Sequence, residues 1–233
     1  MNIAVIFAGG TGQRMNLATK PKQFLEVYGK PIIIYTLEQF QYCDQIDSII
    51  LVSLKDWISY CEELADCYHI SKLKAVVEGG ASGQESIYHG LLKAKELFGD
   101  DNIVLIHDGV RPLIDAETIT SNIAMVKQKR CAITIAPAIE TIFLKEDDGS
   151  VGTIIDRSKC QLARAPQSFV LKDIFESHTR AINDQIEFID SASMMQHYGY
   201  KLFCVEGKPD NIKITTLRDF YLFKAFLEAK KQL

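Results

Sequence analysis

The chain has 233 residues, 47% of them hydrophobic and 24% charged, enough to bury a core without metal or disulfide staples and too apolar for disorder as its main state. A formal net charge of −4 argues against a general nucleic-acid binder, so any polyanion has to be met by local cations. The six cysteines form no CxxC pair and no histidine stands at zinc-finger spacing, which reads as free thiols in a reducing, cytoplasmic setting.

Residues 2–7 are a β-branched and aromatic run stopped by Gly9 and Gly10, the pattern of a strand buried on both faces. The run is far shorter than the roughly 20 residues of a membrane span, and no basic leader precedes it, so no membrane role is expected. Next comes a helical stripe of Ile33, Ile34, Leu37 and Phe40, then a strand at 48–52 and a second stripe of Ile58, Cys61, Leu64 and Tyr68. After a strand at 75–77, Ser82-Gly83-Gln84-Glu85 is a capping-box pattern that opens a third helix carrying Ile87, Leu91, Ala94 and Leu97 or Phe98. Strands are predicted at 102–107, 131–136 and 202–205, and Thr216 can cap a last helix with Phe220, Phe223 and Leu227. Residues 140–164 break the alternation: 141–145 and 151–155 flank Asp147-Asp148-Gly149 as a hairpin with little apolar content to bury at home. The expected architecture is one α/β domain over residues 1–233, with a mainly parallel sheet flanked by helices and a protruding β-arm of about residues 138–164.

In an open parallel sheet, ligands sit beyond the carboxyl ends of the strands. The first strand runs into Ala8-Gly9-Gly10-Thr11-Gly12-Gln13-Arg14-Met15, where glycines allow backbone amides to approach phosphate oxygens; the alternative is a plain tight turn. Met15 takes the place of the third glycine of the dinucleotide fingerprint, which disfavours a nicotinamide-dependent dehydrogenase, and no GxxxxGK[ST] loop is present. Arg14 and the Lys22 of Pro21-Lys22-Gln23-Phe24 flank this glycine turn. A triphosphate asks for such cations, because charge grows on the α-phosphoryl group during displacement; isolated, they would read as solvated surface charges.

These two segments resemble the signature of nucleotidyltransferases that activate sugar or polyol phosphates. Further segments narrow the likeness to cytidylyltransferases acting on 2-C-methyl-D-erythritol 4-phosphate or ribitol 5-phosphate: Gly79-Gly80 with Ser86, His107-Asp108-Gly109-Val110-Arg111-Pro112, Glu140-Thr141, Asp156-Arg157, Pro166-Gln167 with Phe169, and Asn211-Ile212-Lys213-Ile214-Thr215. The resemblance implies a Rossmann-like nucleotidyltransferase fold, CTP and a polyol phosphate as substrates, Mg²⁺ or another divalent cation, and a homodimer interlocked by the β-arm. It also implies roles. Arg14 and Lys22 would stabilise the pentacovalent α-phosphorus, and Ala8, Gly9, Gly10, Thr11, Gly12, Gly80, Ala81 and Ser86 would hold the nucleotide. Thr141, Arg157 and Lys213 would hold the acceptor's phosphate, and Asp108 with Arg111 would order the metal and the polyol end.

Each role has an alternative in the residues themselves. Asp108 can be a turn carboxylate, Arg157 can pair with Asp156 at the surface, and Lys213 can be an outward strand residue. His107 reads as structural, since no second ligand stands at metal spacing. Two acceptor-side threonines of the erythritol-phosphate enzymes are replaced by Ala165 and Ile189, with Ser191 and Ser193 nearby as substitute hydroxyls, and the arginine after Gly-Gly is replaced by Gly83 or Gln84. The first-loop Ala8-Gly9-Gly10-Thr11-Gly12 and Val110 look closer to the ribitol-phosphate type, and the hydroxyls lost at Ala165 and Ile189 lean the same way, toward ribitol 5-phosphate or a similar unbranched polyol phosphate and a CDP-polyol for a wall or capsule polymer; isoprenoid synthesis is the alternative. A noncatalytic nucleotide-binding protein on the same fold is disfavoured by the retention of both Arg14 and Lys22.

Overall fold

The computed structural model describes residues 1–10 and 20–231. The chain runs through β1 (Asn2–Phe7), the short strands β2 (Glu26–Val27) and β3 (Lys30–Pro31), α1 (Ile32–Gln41), β4 (Ser48–Ser53), α2 (Ile58–Cys67), β5 (Leu73–Glu78), α3 (Gly83–Phe98) and β6 (Ile103–Asp108). It continues through α4 (Ala116–Lys129), β7 (Cys131–Pro137), β8 (Ile142–Lys145), β9 (Val151–Ile155), β10 (Gln161–Val170), α5 (Leu171–Asp184), α6 (Ser191–His197), β11 (Cys204–Glu206) and α7 (Leu217–Lys231).

Seven strands form one sheet in the order β11-β7-β10-β6-β1-β4-β5. All neighbours pair in parallel except β10, which runs antiparallel to both β6 and β7. The near-continuous apolar runs follow from burial on both faces. Alternate β1 side chains serve opposite layers: Ala4 and Ile6 pack with α1, α2 and α4, whereas Ile3 and Val5 pack with α3, α5 and α6. The third helix uses Phe98 for that contact and leaves Leu97 48% exposed.

Three local outcomes differ from the sequence reading. The Ser82 side chain accepts from the Glu85 N–H at 3.1 Å as the capping pattern predicts, but the Glu85 carboxylate reaches the Ala81 amide at 2.7 Å, one residue outside the usual box. Strand β10 has no clear signal in the sequence, because Gln161-Leu162-Ala163-Arg164 shows neither an apolar run nor strict alternation and Pro166 breaks the run before Phe169. Its start also shortens the arm, since Gln161 pairs with Pro137 and Ala163 with Ile135 inside the main sheet. The hairpin β8–β9 forms as expected, pairing Ile142 with Ile155, yet it carries more apolar surface than its composition suggested: Phe143, Leu144, Val151 and Ile154 are all exposed.

Candidate active site

The carboxyl ends of β1 and β6 lie side by side, with Phe7 opposite Asp108, so both of the predicted clusters open onto one edge of the sheet. Ala8 is fixed there by its N–H, which donates to the Val52 carbonyl at 2.8 Å, and by its own carbonyl, which accepts from Gln23 Nε2 at 2.5 Å. Gln23 belongs to a single 3₁₀ turn, Lys22–Phe24, whose Phe24 is fully buried with its ring stacked on Trp57 at 4.6 Å. These two anchors, on the residues that follow Lys22, tie the turn to the end of β1 and to Trp57. Thr11, Gly12 and Arg14 lie outside the described residues.

The N-terminus of α3 closes the other side of the loop. The Ser86 hydroxyl accepts from the Gly80 N–H at 3.0 Å and donates to the Ser82 carbonyl at 2.8 Å, while a Cβ placed on Gly9 would touch that same hydroxyl at 3.4 Å. A side chain at Gly80 would collide with Glu85, so glycine is required by space. The Gly80 and Ala81 amides are already hydrogen-bonded within the chain, so this segment presents carbonyl oxygens and backbone surface to a ligand rather than free N–H groups. Gly10 is exposed.

Asp108 is almost completely buried and clamped between two cations. Its Oδ2 accepts from Arg111 Nε at 2.6 Å, and its Oδ1 lies 2.6 Å from Lys213 Nζ. Burial by itself would raise the carboxyl's pKa, but Arg111 and Lys213 outweigh it and hold the group down at about 2. The turn after β6 is braced from below: Gly109 packs where a Cβ would strike Ile33 and Ala8, and the Ile214 N–H donates to the Val110 carbonyl at 2.9 Å, bringing Lys213 to the site. Arg111 Nη1 donates to the Asn211 carbonyl at 3.0 Å. His107 is structural, with Nε2 against the Arg111 carbonyl at 3.1 Å; burial pushes its pKa down to about 4.

Beyond Asp108 a cavity of about 530 Å³ extends toward β10 and α6. Gln84 spans its mouth, donating to the Ile186 carbonyl at 3.1 Å and accepting from the Phe188 N–H at 2.8 Å. Gln167 is locked in one orientation, donating to Asp190 Oδ2 at 2.9 Å and accepting from the Ala192 N–H at 2.8 Å. Of the two nearby serines, buried Ser191 lines the cavity, whereas the Ser193 hydroxyl is spent on the Asp190 capping box. Ile189 does not fill the pocket: it is 97% exposed at the rim. Among the wall residues that escaped the sequence reading are Arg164, on β10, and His178, on α5, whose imidazole is buried with neither ring nitrogen hydrogen-bonded. The one available signal was the cation immediately before Ala165-Pro166; a lone helical histidine carries none. Thr141 and Arg157 do not line this cavity; both are exposed on the arm, where Arg157 Nη1 donates to the Ile139 carbonyl at 2.8 Å.

A reaction edge that assembles cations and one ionised carboxylate beside a glycine loop is built to neutralise phosphate charge, and fold and site together define a nucleotidyltransferase. The family model described as IspD, 2-C-methyl-D-erythritol 4-phosphate cytidylyltransferase, matches residues 2–229, and the chain belongs to this cytidylyltransferase family. It is 50% identical over 234 aligned positions to the ribitol-5-phosphate cytidylyltransferase of Vibrio parahaemolyticus serotype O3:K6, covering 100% of this chain and 98% of that one. It is 38% identical to the 2-C-methyl-D-erythritol 4-phosphate cytidylyltransferase of Clostridium novyi, over 97% of this chain and 96% of that one. Among solved structures, the 4-diphosphocytidyl-2C-methyl-D-erythritol synthase of Anaerococcus prevotii superposes with a TM-score of 0.85 at 28% identity, covering 97% and 96% of the two chains. Among the described residues no helix is long and apolar enough to cross a membrane.

Proposed function

We propose that this cytidylyltransferase transfers CMP from CTP to ribitol 5-phosphate, giving CDP-ribitol and pyrophosphate. A phosphate oxygen of the acceptor attacks the α-phosphorus of CTP, and the bond from that phosphorus to the bridging oxygen of pyrophosphate breaks. The nucleophile is already ionised at neutral pH, so the protein's task is positioning and charge neutralisation. The observation that carries the reading is Asp108 held between Arg111 and Lys213 at the mouth of the acceptor cavity, one strand from the glycine loop. The acceptor is supported by the full-length 50% identity to the Vibrio enzyme and by Ala165, which is buried where a threonine hydroxyl would otherwise serve.

Lys22 and Arg14 are assigned to the α-phosphoryl group, and Lys213 to the acceptor's phosphate. The chain's donor set suits Mg²⁺: Asp108 is a hard, fully ionised oxygen donor, and one carboxylate shared with substrate phosphates is a usual Mg²⁺ arrangement. The ion would neutralise charge on the triphosphate when bound. Thr141 and Arg157, remote from their own cavity, are assigned to the site of a second copy in a homodimer joined through the arm. A cytoplasmic setting agrees with six unpaired thiols and with CTP as substrate.

The test is pyrophosphate release with CTP and each of ribitol 5-phosphate and 2-C-methyl-D-erythritol 4-phosphate. Ribitol 5-phosphate is expected to have the higher kcat/KM, by about 5-fold to 150-fold, the scale of one unpaired polar group in a substrate pocket. A tenfold advantage for the branched acceptor would assign the enzyme to the other substrate.

A further inference from the structure

Resting on the transfer to a polyol phosphate proposed above, we infer that Arg164 is a specificity residue that donates hydrogen bonds to the hydroxyls at the far end of the acceptor's chain, away from its phosphate.

The first observation is how β10 presents this side chain. Ala163 pairs with Ile135 and Gln167 with Ile133, so Arg164, Ala165 and Pro166 together stand opposite the single residue Thr134. Bulges of this kind redirect a side chain and are common beside active sites. The bulge is pinned by two side chains: Thr134 Oγ1 donates to the Pro166 carbonyl at 2.7 Å, and Asn211 Nδ2 donates to the Ala165 carbonyl at 2.7 Å. Asn211 also receives Arg111 through its own carbonyl, so the bulge and the Asp108 cluster are held as one piece.

The second observation is that Arg164 lacks what the other cations of this cluster have. Arg111 and Lys213 are paired with Asp108, but Arg164 has no ion pair among the described residues, and its Nε is buried with no hydrogen-bond partner. Burial and the nearby Arg111 charge both lower its pKa. A guanidinium at a cavity wall with a desolvated, unused donor gains most from a ligand that brings oxygens to it. Its neighbours Ala163 and Ala165, which line the same cavity, bring no side-chain hydrogen-bonding group.

Position decides which end of the acceptor it meets. The reacting phosphate has to reach the glycine loop after β1, where Lys213 Nζ lies 5.9 Å from the Phe7 ring. Arg164 is on β10, two strands away with β6 between, a distance of about 10 Å at ordinary strand spacing. An acceptor with its phosphate at the loop runs across Asp108 and delivers its terminal hydroxyls, not its phosphate, to Arg164.

The experiment compares Arg164→Ala and Arg164→Gln with the wild type, using ribitol 5-phosphate as acceptor and glycerol 3-phosphate as a shortened probe, either as substrate or as competitive inhibitor. The expected result is a kcat/KM for ribitol 5-phosphate lowered about 10-fold to 100-fold in both variants, the range for a charged hydrogen bond, with the KM for CTP and the constant for glycerol 3-phosphate changed by less than about threefold. An equal loss with the short probe, a parallel loss for CTP, or an unchanged kcat/KM would each overturn the assignment. A wild-type enzyme that releases no pyrophosphate with any polyol phosphate would instead defeat the proposed function.

Discussion

Around Asp108, the charged groups meet partners in their own chain: Lys213 and Arg111 take its two oxygens, Asn211 takes Arg111, and the β10 bulge hangs from the same asparagine. On the β8–β9 arm the balance is reversed. Phe143, Leu144, Val151 and Ile154 are 49–66% exposed, and Arg157 donates to the backbone of its own arm. The Asp108–Arg111–Lys213 cluster, satisfied within one chain, is preorganised and can stabilise charge without rearranging at the moment of reaction. A patch of exposed apolar side chains on an arm is the composition of an interaction surface, which is what the proposed homodimer requires of it.

The sharpest test of the first half of that contrast is Lys22→Ala, with Arg14→Ala beside it. Each is expected to lower kcat by about 10² to 10³, the scale for losing one donor to the transition state. The Lys22 variant is expected to keep its fold, because Gln23 and Phe24 anchor the turn through Ala8 and Trp57. Steady-state kinetics together with thermal melting check this; a wild-type kcat in either variant breaks the assignment.

A smaller effect separates the cavity's rigid wall from its chemistry. Burial lowers the pKa of His178 to about 4 in the folded protein, against about 6.5 when unfolded. As pH falls below 6.5 the unfolded chain takes up the proton first, so stability is lost progressively down to about pH 4 and not further below it. The loss from this residue amounts to about 3 kcal/mol. His107 is shifted in the same direction and adds to the slope. In His178→Leu, urea unfolding at pH 7 and pH 4.5 should show a shallower decline than the wild type; an identical slope would mean that the imidazole finds a charge-stabilising partner.

Legibility from sequence followed the same division. The parallel strands and the stripes of α1 to α3 were readable because burial on one or two faces writes a periodic pattern into the chain, as at Ile33, Ile34, Leu37 and Phe40. The glycine loop, Lys22, Asp108, Arg111 and Lys213 were named by resemblance and by their place after strands, and the structure brings the last three together. Strand β10 was illegible, since Arg164-Ala165-Pro166 is held by Thr134 and Asn211, partners 32 and 46 residues away. Arg164 and His178 were missed for the same physical reason: what marks them is the absence of partners, and a sequence records residues rather than pairings.

The smallest expected effect bears on the arm. If Arg157 serves the site of a second copy, a subunit carrying Arg14→Ala and one carrying Arg157→Ala complement each other. In the mixed dimer one site joins both altered residues, and the other joins an intact Arg14 to an intact Arg157. Free mixing makes half of the dimers mixed, each with one working site, so two nearly inactive preparations should recover about a quarter of wild-type activity, within a factor of about four of the original enzyme. The recovery should appear on the time scale of subunit exchange and grow with total protein concentration below the dimer's dissociation constant. Sedimentation that shows a fully active monomer, or mixing that leaves activity at the sum of the two variants alone, would place Arg157 in its own protomer's chemistry or in none. The exposed side chains of β8 and β9 would then need a different explanation from the one their contrast with the Asp108 wall supports.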